Sequence, residues 1–159
     1  MTTGMLHLHS VLRYLVLFFA LWAIFKSMSG MGGNKAFTKG DQRPGLFFMI
    51  SMDVQLLVGL ILYFTGGFGL NSIKSLGMGE TMKNSITRFF AVEHLIGMLI
   101  ALVLVHIGYA ATKKAALTDQ KKFKKSFWMY LIALIVIIAS IPWPFREVGA
   151  GRSWFPGMQ

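Results

Sequence analysis

The sequence predicts an all-α integral membrane four-helix bundle with both termini on the outer, periplasmic side. Three observations carry that expectation: four long apolar stretches, a mean hydropathy of +0.60, and basic residues gathered between the stretches. Only 14% of residues are charged and 55% are apolar, whereas a soluble domain carries about 25% charged residues. The net charge of +10 would suit nucleic acid, but the lysines trace no single soluble face. Membrane topology accounts for them, and no nucleic-acid partner is expected. The chain has no cysteine, which excludes disulfides, thiolate metal sites, iron–sulfur clusters and thioether-linked haem.

The whole chain, 1–159, reads as a single membrane domain with helices at about 5–26, 45–65, 88–112 and 126–143, against a need for about 20 residues per span. The first stretch has no basic residue before it and no small-residue cleavage site after it, so it reads as a retained helix and not a signal peptide. A glycine-rich turn at 29–34, a glycine-punctuated loop at 66–79 and a lysine-rich linker at 113–125 separate the spans. The fourth is the shortest, stopped by Pro142 and Pro144. It has no ionisable residue at 131–141 and reads as a wall with no part in a site.

The loops set the orientation. Ten basic residues (Lys26, Lys35, Lys39, Arg43, Lys113, Lys114, Lys121, Lys122, Lys124, Lys125) fall on one side and five (Lys74, Lys83, Arg88, Arg146, Arg152) on the other. The positive-inside rule puts the first group in the cytoplasm of a multi-pass protein of the bacterial inner membrane. Trp143, Trp154 and Phe155 fit an aromatic belt at the outer surface.

The chain's four histidines, His7, His9, His94 and His106, all lie in or beside apolar spans, where an ionisable group needs a reason. At about 1.5 Å of rise per residue, His9 lies roughly 6 Å and His94 roughly 9 Å below the outer boundary. Two imidazoles from different helices at one level are what a haem with two axial histidines requires. Gly97, Met98, Ala101 and Gly108 share the face of His94 and leave room either for a macrocycle or for close helix contact. Arg13, four residues after His9, is placed to hold a propionate or to pair with Glu93. Arg88 is a second candidate for propionate charge.

His7 is turned about 200° from His9 on a helix and reads as an interfacial residue, although a broken first turn would let it serve as the ligand instead. His106 lies roughly 18 Å further in than His94, so the two cannot share a haem. Asp53 falls near its level, and an Asp53–His106 pair is a candidate for a proton or quinone site, or for a simple link between helices. Glu93 belongs to the same set of intramembrane ionisable candidates. Gln55 shares a face with Gly59 and Tyr63 and is expected to make an interhelical hydrogen bond.

The segments "LHLHSVLRY", "DVQLLVGLILY" and "RFFAVEHLIGMLIALVLVHIG" resemble short four-helix membrane proteins of Bacteroidetes-type bacteria labelled cytochrome b or cytochrome b-like. The resemblance spans roughly 6–108. It implies a small b-type cytochrome in the inner membrane, with His9 or His7 and His94 at the ligand positions. Di-haem cytochromes b carry paired histidines about 14 residues apart on each of two helices. Here the spacing is 12 on one helix and two on the other, which counts against two-haem electron transfer across the membrane.

The expected function is therefore a haem b protein acting as an electron-transfer or quinone-coupled subunit, with other respiratory-chain subunits or a quinone as partners besides the lipid bilayer. Two rivals stand beside it. One is a cofactor-free accessory subunit or small transporter in which Arg13–Glu93 and Asp53–His106 link helices. The other is a metal site built from His7, His9, Glu93 and His94, which needs a non-helical start because rings at i and i+2 point apart. The chain shows no nucleophile–base pair, no phosphate-cradling loop and no soluble catalytic domain, so a subunit is expected in preference to an independent enzyme.

Overall fold

The computed structural model describes residues 2–149 and 154–155; Arg152, counted above among the outer basic residues, lies outside them. The elements are α1 (Thr2–Met28), α2 (Lys39–Thr65), α3 (Leu70–Lys83), α4 (Ser85–Lys113), α5 (Asp119–Ser140) and a 3-10 turn at Glu147–Gly149. The helices α1, α2, α4 and α5 are long and apolar enough to cross a membrane, and no strand occurs among the described residues.

Polar residues set ends of three of the spans, α2, α4 and α5. Asp41 accepts from the Thr38 backbone N–H at 3.1 Å and hydroxyl at 2.7 Å, which starts α2 before its apolar run. The T-x-x-D spacing was a readable signal for that start. Asn84 accepts from the N–H groups of Ile86 and Thr87 at 3.0 and 3.1 Å, opening α4. At the other end α5 stops at Ser140, two residues before Pro142, as the steric demand of proline requires. Arg146 Nη1 then bonds the carbonyls of Ala139 and Ile141 at 2.6 and 3.1 Å, supplying donors to a helix end that lacks them.

The segment 66–79, expected as a loop, is largely helical. Its glycines interrupt the helix once, at Gly77, whose φ of +79° is the left-handed region that glycine enters without a Cβ clash. Thr81 Oγ1 bonds the carbonyls of Ser72 and Gly77 at 3.2 and 2.8 Å, tying the two pieces together across that break.

The four spans pack in a ring: α1 on α2, α2 on α4, α4 on α5 and α5 on α1. Thus α1 and α4 stand diagonally opposite. Val16, Ala20, Phe48, Ala101, Val105 and Tyr130 are among the residues that fill the centre. Tyr130 occupies the half toward the basic loops, its ring 5.7 Å from that of Phe48. A Cβ on Gly108 would lie 2.7 Å from Tyr130 Cε1 and 3.0 Å from Met129 Cβ, and one on Gly97 would lie 2.1 Å from Ser140 Oγ. The small residues beside His94 therefore serve close α4–α5 contact, the second of the two roles their sequence position allowed.

The outward faces invert the pattern of a soluble bundle. Phe18, Phe25, Leu57, Val103 and Ile135 are each more than half exposed, and no more than 33% of the most apolar window of any span is buried inside the protein. Such faces suit lipid and not water.

Candidate functional site

The site begins with the diagonal. His9 on α1 and His94 on α4 bring their rings to a centroid separation of 6.2 Å at an interplanar angle of 69°. The level anticipated from helical rise is thus the level the fold uses. Ser140 ends α5 at this height, and its carbonyl accepts from His94 Nδ1 at 2.7 Å. A proton on Nδ1 leaves the lone pair on Nε2, the tautomer suited to metal ligation. The fourth span is therefore more than a wall: its last carbonyl orients the histidine, a role that no spacing in the sequence signals.

His9 is held from the side by α2. Gln55 Nε2 donates to the His9 carbonyl at 2.9 Å, the interhelical bond expected of Gln55. One turn on, a Cβ at Gly59 would stand 3.1 Å from His9 Cε1, so the glycine permits the approach of α2 to the ring. Phe89 and Phe90 complete the surroundings, with centroids 5.8 and 6.5 Å from that of His94. Buried atoms without a hydrogen-bond partner among the described residues concentrate here: His9 Nδ1, Arg13 Nε and Gln55 Oε1. A fourth, the Tyr130 hydroxyl, lies in the other half of the bundle.

The expected Arg13–Glu93 pair does not form. Phe89–Glu93 is a π turn, closed by the His94 N–H on the Phe89 carbonyl. Its i→i+5 repeat stacks Glu93 over Arg88, and Arg88 Nε meets Glu93 Oε1 at 2.6 Å. Arg88 also donates to the Met82 carbonyl at 3.2 Å. Arg88 is thereby paired with Glu93, a pairing that takes the place of the expected Arg13–Glu93 pair. Extrapolating a regular helix through this turn is what misplaced Glu93.

Arg13 turns to the C-terminal aromatic cluster. Its Nη2 donates to Tyr14 Oη at 3.0 Å and to the Trp154 carbonyl at 3.1 Å, and Tyr14 also donates to that carbonyl. Phe155 stacks on Tyr14 at 5.2 Å, and Trp143 lies 5.8 Å from Trp154. The aromatic residues expected in a belt at the outer surface pack against α1 there.

His7 is exposed, as an interfacial residue should be. Among the described residues no three of His, Asp and Glu converge to hold a metal ion. The site of His7, His9, Glu93 and His94 is thus not assembled, because α1 is helical through both histidines and Glu93 faces Arg88.

The expected Asp53–His106 pair is present, Nε2 to Oδ1 at 2.8 Å, with side chains 41% and 44% exposed. It joins neighbouring helices α2 and α4 on their outer surface. His106 also lines an open groove of about 400 Å³ with Leu102, Val103, Ile107 and Ala110. Comparison of the chain with known protein families, curated proteins and solved structures finds no match.

Proposed function

We propose that the chain is a b-type haem-binding membrane protein, an electron-transfer or quinone-coupled subunit with one bis-histidine haem near the end of the bundle that carries both termini. The spacing of His9 and His94 carries this reading. The two rings come from diagonal helices with centroids 6.2 Å apart, and His9 and His94 would hold a haem iron between them. The orphaned polar atoms of His9, Arg13 and Gln55 sit where an added polar group would meet them.

His9 and His94 would hold the iron, and Arg13 would balance propionate charge. When bound, the group supplies one-electron exchange between ferric and ferrous iron. The chain's own residues do the positioning: Ser140 fixes the tautomer of His94, Gln55 and Gly59 fix the place of His9, and Phe89 and Phe90 exclude water. Asp53–His106 is the place where a quinone carbonyl would find a donor, in keeping with a subunit that exchanges electrons with lipid-soluble carriers or respiratory partners. The two-to-one distribution of basic residues supports an inner-membrane orientation with the termini outside.

A second reading is a cofactor-free accessory subunit, favoured by the Asp53–His106 bond as a plain helix link. An absorption spectrum of detergent-purified protein, made with haem supplied and recorded oxidised and dithionite-reduced, separates the two. A sharp Soret band with reduced α and β bands, lost in His9→Ala and His94→Ala, is expected. A colourless protein at full haem supply sinks the cytochrome reading and leaves the accessory one.

A further inference from the structure

We infer that the outer face of α5 at the basic end of the bundle is a binding site for the headgroup of an anionic phospholipid. Lys121, Lys124, Lys125 and Trp128 follow one another at i, i+3, i+4 and i+7, the spacing that stacks side chains on one helix face. All four are exposed, and with Leu117 they line an open groove of about 310 Å³. Ile132 and Ile135 continue the same face toward the bilayer, 40% and 58% exposed.

This order repeats that of a phospholipid standing beside the helix. Three ammonium groups lie at the level of a phosphate, an indole at the level of the glycerol and ester groups, and branched apolar side chains along the acyl tails. The distances agree: Trp128 lies three to four residues from Lys124 and Lys125, about 5–6 Å of helix, close to the depth of one polar layer of a bilayer.

The lysines are also unspent. Among the described residues the carboxylates at this end are taken elsewhere, Asp119 by Lys122 at 3.5 Å and Asp41 by Lys35 at 2.6 Å. Among the described residues no ion pair involves Lys121, Lys124 or Lys125. Three neighbouring cations that no described carboxylate pairs with, beside a hydrophobic groove at a membrane boundary, are complementary to a lipid phosphate. The site lies on another helix face from His9 and His94 and does not depend on the haem reading.

The test uses the purified full-length protein in detergent. It is titrated with phosphatidylglycerol or phosphatidylcholine, and bound lipids are counted by native mass spectrometry. Phosphatidylglycerol should bind at about a hundredfold lower concentration, with roughly a fivefold loss of that preference for each lysine neutralised in Lys121→Gln, Lys124→Gln and Lys125→Gln. A Lys26→Gln, Lys39→Gln variant, altered at the same end but off this face, should keep the preference. Equal binding of the two lipids overturns the site, as does a triple variant that retains the preference or an off-face variant that loses it equally. Competition by inorganic phosphate at the concentrations where the lipid binds would also overturn it, by pointing to a soluble anion. If the triple variant does not fold, wild-type protein still decides. Brominated phosphatidylglycerol should quench tryptophan emission more than brominated phosphatidylcholine, and Trp128→Phe should remove the excess; no excess, or one unchanged in Trp128→Phe, refutes the site.

Discussion

The two histidine pairs of this bundle use one residue type in opposite ways. His9 and His94 face each other from diagonal helices, inward, with their backbone and Nδ1 contacts supplied by the other two spans. His106 sits on the outer surface and closes on Asp53 of the adjacent helix at 2.8 Å. An acid and a base on neighbouring helices satisfy each other. Two bases across a bundle axis do not, and His9 Nδ1 is left without a hydrogen-bond partner among the described residues. A site is marked less by a histidine as such than by one, like His9, whose neighbours position it and leave a ring nitrogen unmet among the described residues.

The largest break in that contrast is spectral. His9→Ala should abolish the haem bands of protein made with haem supplied, whereas His106→Ala should leave them in place; equal loss in both variants would erase the distinction. The next effect separates packing from ligation through two glycines. Gly108→Leu drives a side chain into Tyr130 and Met129 and should destabilise the bundle by about 1–3 kcal/mol, read as a lower midpoint in thermal unfolding in detergent. Gly59→Leu presses on the His9 ring instead, and should weaken or shift the Soret band far more than Gly108→Leu does among molecules that remain folded.

A smaller effect is expected at the cluster over α1. Arg13→Gln removes a charged donor from the Trp154 carbonyl and should cost about 1 kcal/mol, with a red-shifted tryptophan emission as the cluster loosens. An unchanged spectrum would mean that Tyr14 and Phe155 suffice to hold it. The smallest is the surface pair: a double-mutant cycle over Asp53→Asn and His106→Gln should give a coupling of about 0.6 kcal/mol, the usual size for such bonds between membrane helices. A coupling several times larger would give that pair a weight in stability that its exposure argues against.

Much of this arrangement was legible beforehand because it depends on local chemistry. Helical rise alone set His9 level with His94 and Asp53 level with His106, since depth in a spanning helix is proportional to residue number. Rotation was less secure. Five residues of π turn altered which way Glu93 faces, and the expected partner of Arg13 became the partner of Arg88. The helix at Leu70–Lys83 was hidden for a related reason: glycine content reports average flexibility, while positive φ is used only at Gly69, just before the helix, and at Gly77 within it, among the described residues.

By itself, the sequence determined the membrane class, the four spans and the depth of each polar residue, because these follow from hydrophobic length and a fixed rise per residue. Only the tertiary structure decided which helices are diagonal, that the Ser140 carbonyl orients His94, and that the C-terminal aromatics fold back onto Arg13 and Tyr14. Those are contacts between residues distant in the chain. They arise from how closely small side chains let helices approach and from which backbone groups remain unsatisfied at helix ends, and neither leaves a periodic mark in the order of the amino acids.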